Sequence, residues 1–246
     1  MSIESMILLC AGLPAVSFLY STVGHAGASG YIAVMSLFGL APEAIKPVAL
    51  SLNILVAAIG TRQFYRAGHF HWRTFWPYAV PAVPCAFAGG YLNLPSHVFR
   101  LVIGVALLFS AVMLVVKMRA PDEATVPPVG ASLGVGAALG FAAGLTGTGG
   151  GIFLTPTLLL FRWARTKTAS ATSAAFILVN SIAGLSGVIG RTHALPPLET
   201  MAPLLMTVLV GGTIGSYFGS RRFSREVIKT MLACVLVIAS VKLIVG

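Results

Sequence analysis

The chain has 246 residues, of which 57% are hydrophobic and only 9% charged, and its mean hydropathy is +0.93. That composition excludes a soluble domain, which would be left with a very large exposed apolar surface, and points to a polytopic membrane protein. The net charge of +10 does not imply nucleic acid as a partner: the 16 basic residues are scattered through short loops, with no basic helix or aromatic-basic groove, as expected of positive loops on the cytoplasmic face of a membrane protein.

The first residues, Met1 to Met6, carry no basic stretch and no small-residue cleavage site, and read as the start of an uncleaved first span. Ten apolar segments follow, at about 6–23, 31–41, 44–61, 75–92, 98–116, 129–145, 152–161, 168–189, 198–218 and 227–245. A full crossing takes about 20 residues. The second and seventh segments are too short for one and read as half-helices. Between segments five and six, residues 117–128 form the one hydrophilic linker, with prolines ending the fifth span.

Each short segment follows a glycine loop. The second loop, Gly144-Leu145-Thr146-Gly147-Thr148-Gly149-Gly150-Gly151, holds five glycines between apolar stretches. Glycine costs roughly 1 kcal/mol per helical residue against alanine, so the backbone opens there. Irregular backbone at membrane depth survives only when buried in protein or lining a cavity. A helix restarting at Ile152 turns its free N–H groups and positive dipole end toward the glycines, which suits an anion. The first loop, Gly24-His25-Ala26-Gly27-Ala28-Ser29-Gly30, is less glycine-dense.

Gly30 precedes Gly151 by 121 positions, and Ser51/Ser173, Gly68/Gly190, Pro81/Pro203, Gly89/Gly211 and Gly90/Gly212 are each separated by 122. Six landmarks in order imply an internal duplication. The expected fold is an all-α polytopic membrane protein of two homologous halves, 1–120 and 129–246, each of about five helical segments and joined by a linker at 121–128. If each short segment carries the chain across the membrane, the basic residues divide 12 against 4, with Lys46, Arg100, Arg191 and Lys242 on the sparse face. If the short segments turn back, the division is 7 against 9, so the positive-inside rule favours the crossing arrangement. Five crossings per half make the halves an inverted repeat, with both termini outside and the two glycine loops meeting near the midplane.

All six acidic residues fall at termini or in loops on this reading. Without an intramembrane carboxylate a cation pump is disfavoured, and a site of backbone N–H groups, hydroxyls and amides suits an anion. Side-chain candidates are His25, Ser29, Asn53, Thr146, Thr148, Ser173 and Asn180; backbone candidates are Gly27, Gly30, Gly147, Gly149, Gly150 and Gly151. Positions 170, 173, 177, 180, 184 and 187 form a small or polar stripe broken only by Ile177, which serves equally for close helix packing. Asn180 stands out because a buried amide wants partners at both ends. His25 could bond a substrate, carry a proton, or simply bond loop carbonyls. Neither the composition nor the spacing of Cys10, Cys85 and Cys234 suggests a metal. No cofactor or catalytic residue is expected.

Gly147-Thr148-Gly149-Gly150 lacks the Gly-Lys-Ser/Thr ending and preceding strand of a nucleotide-binding loop. Gly27-Ala28-Ser29-Gly30 is similar to the Gly-x-Ser-Gly of intramembrane serine proteases, with His193 the one distant candidate base. The whole pattern resembles the TauE/SafE sulfite-exporter family: two glycine loops opening short helices, Ala169-Ser170-Ala171-Thr172-Ser173 and Asn180-Ser181 on the next helix, Arg66-Ala67-Gly68, and the pairs Gly89-Gly90 and Gly211-Gly212. The resemblance covers nearly the whole chain. It implies outward transport of a sulfur-containing anion, sulfite or an organosulfonate, across the cytoplasmic membrane. Protons are the candidate coupling ion, and a homo-oligomer is an open expectation. A passive anion channel, an intramembrane serine hydrolase and a non-transporting scaffold stand as rivals.

Overall fold

The structure is a computed structural model and describes residues 3–22, 25–40, 42–115, 124–125, 127–194 and 197–221, together with 237, 240, 241 and 244. The described residues form an all-helical protein: α1 (Ile3–Thr22), α2 (Ala28–Leu37), α3 (Pro42–Arg66), α4 (Trp72–Tyr91), α5 (Ser96–Val115), α6 (Val129–Thr146), α7 (Gly151–Leu160), α8 (Thr166–Thr192) and α9 (Leu198–Arg221). Gly24, the acidic pair Asp122 and Glu123 and most of the expected tenth segment lie outside the described residues.

Glycines set the breaks. Gly147 closes α6 at φ 80°, Gly150 opens α7 at φ 79°, and Gly27 opens α2 at φ 105°. In this left-handed region a Cβ is penalised, so the chain turns there at least cost. Both short helices have 10 residues, about 15 Å of rise. Among the described residues, four helices are long and apolar enough to cross a membrane: Ala44–Arg66, Val129–Thr146, Thr166–Thr192 and Leu198–Phe218.

At the centre α3 and α8 run antiparallel. Asn53 meets Ser181, and Gly60 lies against Ala174. The two most extensive remaining contacts pack α6 on α4 and α1 on α9. Small residues permit both contacts. Gly136, Gly140 and Gly144 lie directly on the backbones of Tyr78, Ala82 and Ala86, while Gly211 and Gly215 lie on those of Pro14 and Phe18. With lipid outside as apolar as leucine, such close approach supplies the packing energy. Outward-facing Ile7, Val80, Leu101, Met206 and Val210 are all more than half exposed, as expected of a surface solvated by lipid. Trp72 and Trp76 are exposed near the start of α4, in keeping with headgroup anchors.

Some sequence landmarks take equivalent places and others do not. Gly89 lies on α6 while Gly211 lies on α1; Gly90 reaches Gly184 of α8 while Gly212 reaches Val56 of α3. Gly30, however, stands inside α2 whereas Gly151 begins α7, and it is Gly27 and Gly150 that open the short helices. Gly68 is a left-handed turn residue after α3, whereas Gly190 is helical within α8. The third helix also starts earlier than hydropathy suggests, at Pro42, because proline is well suited to a first helical turn. Glu43 is therefore helical rather than in a loop, as are Glu4 in α1 and Glu199 in the first turn of α9.

Candidate functional site

The two glycine loops meet. His25 Nε2 donates to Gly151 O at 3.2 Å, linking residues 126 apart in sequence. A carbonyl only accepts, so this contact puts a proton on Nε2. Gly27 and Gly150, the N-caps of α2 and α7, provide no side-chain cap. The leading N–H groups of both short helices therefore lack the usual capping oxygen and have no intrahelical acceptor of their own.

Around the second loop the sequence candidates converge. Asn53, wholly buried on α3, donates from Nδ2 to Thr148 O at 3.3 Å and to Ser181 Oγ at 3.4 Å. Its Oδ1 has no partner among the described residues. Thr146 Oγ1 donates to Ala142 O at 2.7 Å and lies 2.9 Å from Thr148 Oγ1, tying the end of α6 to the loop. Gly149 sits at φ +73° so tightly that a Cβ would be 2.7 Å from Asn53 Nδ2, 2.8 Å from Ile177 and 2.9 Å from Ser181 Oγ. Gly151 lies on Ile177 and on the Ser173 carbonyl, and Gly150 on Phe176. Ile177, the one large residue in the stripe of α8, is thus the ridge on which the loop rests.

Ser173 and Asn180 share that stripe by helical spacing. Ser173 Oγ accepts from Thr155 of α7 at 2.7 Å, which braces the short helix against α8. Asn180 is wholly buried, and neither amide atom has a partner among the described residues. Ser181 was not among the sequence candidates. Its signal was its place beside Asn180, but only the helix register shows that it faces the loop.

The first loop's other candidates stay within their own half. Ser29 Oγ donates to Tyr20 OH at 3.0 Å, and Tyr31 OH donates to Ala26 O at 2.6 Å. Gly27 packs under the Tyr31 ring and Gly30 under Tyr20 and Val16. Ser29 thus contributes no hydroxyl to the second loop. His193, the candidate base for a serine nucleophile, is exposed beyond the end of α8, whereas Ser29 is buried.

Sequence reasoning also passed over Lys46. It is only 8% exposed, and its Nζ donates to Gly89 O at 3.0 Å, Gly90 O at 3.1 Å and Leu92 O at 3.3 Å. These are the free carbonyls at the C-terminal end of α4, where a cation is favoured.

Antiparallel central helices, two short helices whose opening loops touch through His25 and Gly151, and an apolar exterior are an arrangement suited to a membrane transporter. The comparisons with known proteins agree. Residues 8–243 match the family described as Sulfite exporter TauE/SafE. A protein of Sinorhizobium fredii (strain NBRC 101917 / NGR234) named "Probable membrane transporter protein y4hK" is 39% identical over 234 residues, 93% of this chain and 94% of that protein. The chain belongs to the TauE/SafE family of membrane transporters.

Proposed function

We propose that the protein is a secondary transporter that exports a small sulfur-containing anion, sulfite or an organosulfonate, across the cytoplasmic membrane in exchange with or alongside protons. The observation that carries this reading is the contact of the two glycine loops, His25 on Gly151, at the uncapped starts of α2 and α7. Peptide N–H groups and helix dipoles balance an anion's charge without a fixed cation in contact with it, so binding need not become too tight for release. The substrate's oxygens are held by N–H groups near Ser29 and Gly30 and near Gly149 to Ile152, helped by Thr146 and Thr148; the N–H groups of Tyr31 and Ile32, expected for the same task, are taken up within α2. Asn180 has the most to gain, since leaving a buried amide group unpaired costs about 1–3 kcal/mol.

His25, Thr146, Thr148 and Asn53 are all buried, so an anion reaches them only when the packed elements separate. Two inverted halves supply that motion. The exchange of first and fourth helices between halves and the antiparallel pair α3 and α8 support rocking of one half against the other around the loops. In this arrangement the twelve-residue basic face is cytoplasmic, both termini are outside and the chain is multi-pass in the inner membrane.

The test is flux of radiolabelled sulfite into proteoliposomes holding the purified protein, with and without a pH gradient, and with taurine and sulfoacetate as competitors. Saturable flux that responds to the gradient is expected. Flux linear in concentration and indifferent to the gradient would make the protein a channel instead, and absence of flux for all three anions would refute the substrate class.

A further inference from the structure

We infer that a cleft between the start of α3 and the end of α8 is a second anion site, at which the substrate docks on the face opposite the basic loops. The inference rests on the transporter reading above and adds a station to it. The cleft is lined by Lys46 and Pro47 of α3, by Leu92 and Asn93 after α4, by Phe99 of α5 and by Arg191 in the last turn of α8, among others. Among the described residues, its two charged members are both cations and no acidic residue lines it.

Lys46 is the unusual member. All three N–H bonds of its ammonium are directed at the carbonyls of Gly89, Gly90 and Leu92, so its geometry is satisfied while no carboxylate in those contacts balances its charge. Arg191, exposed at the same cleft, adds a second positive charge. Two like charges on a partly desolvated wall attract a counter-anion more strongly than either alone. Arginine's planar fork suits a pair of sulfite or sulfonate oxygens, and Asn93 brings an amide donor to the same lining. The sparse face carries only Lys46, Arg100, Arg191 and Lys242 on the charge-based topology, and two of these four converge here. General enrichment of basic loops therefore does not explain the pair.

The cleft also touches the glycine junction. A Cβ at Gly147 would lie 3.2 Å from Lys46 Cγ and 3.4 Å from its Cα, so the lysine stem forms one wall of the second loop while its head belongs to the cleft. An anion leaving one station has Lys46 beside it on the way to the other.

The experiment compares wild type, Arg191→Gln and Arg191→Lys as purified full chains. In proteoliposomes, Arg191→Gln should raise the sulfite concentration for half-maximal flux by about tenfold, the scale of a lost charged hydrogen bond. Its maximal rate should stay within about twofold, and its dependence on ionic strength should weaken. Arg191→Lys should recover part of the affinity. Unchanged half-saturation and salt dependence in Arg191→Gln would overturn the site. In parallel, thermal unfolding in detergent is followed against added sulfite. If wild type carries no flux but is stabilised by sulfite in a manner lost in Arg191→Gln, the cleft stands and the transport reading falls. If sulfite stabilises both proteins equally, the cleft assignment falls whatever the flux.

Discussion

The two glycine loops begin helices of equal length, yet they are held in opposite ways. Apart from His25, which reaches Gly151, the first is braced by nearby residues, with the Tyr20 hydroxyl on Ser29 and Tyr31 bonded back to Ala26. The second is gripped by both halves at once: Asn53 of α3 bonds Thr148, while Ile177 and Ser181 of α8 pack on Gly149. Because the second loop is held by both α3 and α8, which run antiparallel, a shift of one against the other would disturb it. The two loops thus share a backbone pattern, while the side chains set the first as a post and leave the second held by α3 and α8 together.

The largest effect that would test this contrast is expected from Gly149→Val. The residue sits at φ +73° and faces Asn53, Ile177 and Ser181 at contact distance. A left-handed conformation costs an L-residue roughly 1–2 kcal/mol, and overpacking adds about 1–3 kcal/mol. Sulfite flux should fall to background, with unfolding temperature lowered but the protein still monodisperse on gel filtration. Gly149→Ala should lose most of the flux with a smaller stability cost. Normal flux in Gly149→Ala would remove the second loop from the site.

Next comes Asn53→Leu. It deletes the one side chain seen to hold the second loop from α3, leaving the buried Thr148 carbonyl without that donor. Stability should drop by about 1–3 kcal/mol, and flux by roughly tenfold or more. Thermal unfolding and flux on the same preparation check both. A loss of stability with unchanged flux would mean that Asn53 only packs the core.

Much of the helical layout could be read from composition and spacing, because helix breaking by clustered glycine is a backbone effect with few alternatives; the close approach of Gly89-Gly90 and Gly211-Gly212 to facing helices appears only in the structure. The 121-residue offset between Gly30 and Gly151 was less informative. It matched residue types, whereas the structural equivalents are Gly27 and Gly150, whose positive φ no spacing rule identifies. Lys46 falls inside the third apolar segment, 44–61, but reads from sequence only as one of four basic residues of the sparse face. Its burial, with its head on the carbonyls at the end of α4, is a tertiary contact that hydropathy does not show. Partners were the least legible. Nothing in the sequence says that Ser29 answers to Tyr20, that Ser173 answers to Thr155, or that Ser181 rather than Asn180 meets Asn53.

A milder pair of changes probes the halves themselves. Gly89→Ala would push a methyl into the backbone of Phe141 on α6, and Gly211→Ala would do the same to Pro14 on α1. If the halves are equivalent as scaffolds, each should cost about 1–3 kcal/mol, and the two losses in unfolding temperature should match closely. A large difference would show that one of the two interfaces carries more of the fold than the repeat implies.

Ser29→Ala should have the smallest effect. Its hydroxyl is committed to Tyr20 at 3.0 Å inside the first half, so removal costs about one neutral hydrogen bond, roughly 0.5–1.5 kcal/mol. Neither loop moves, the backbone N–H at position 29 is retained, and flux should stay within about twofold of wild type. Abolition of flux, with stability preserved, would require the hydroxyl itself to meet the substrate. The first loop would then be a working half of the site rather than a post, and the contrast between the two loops would fail at its simplest point.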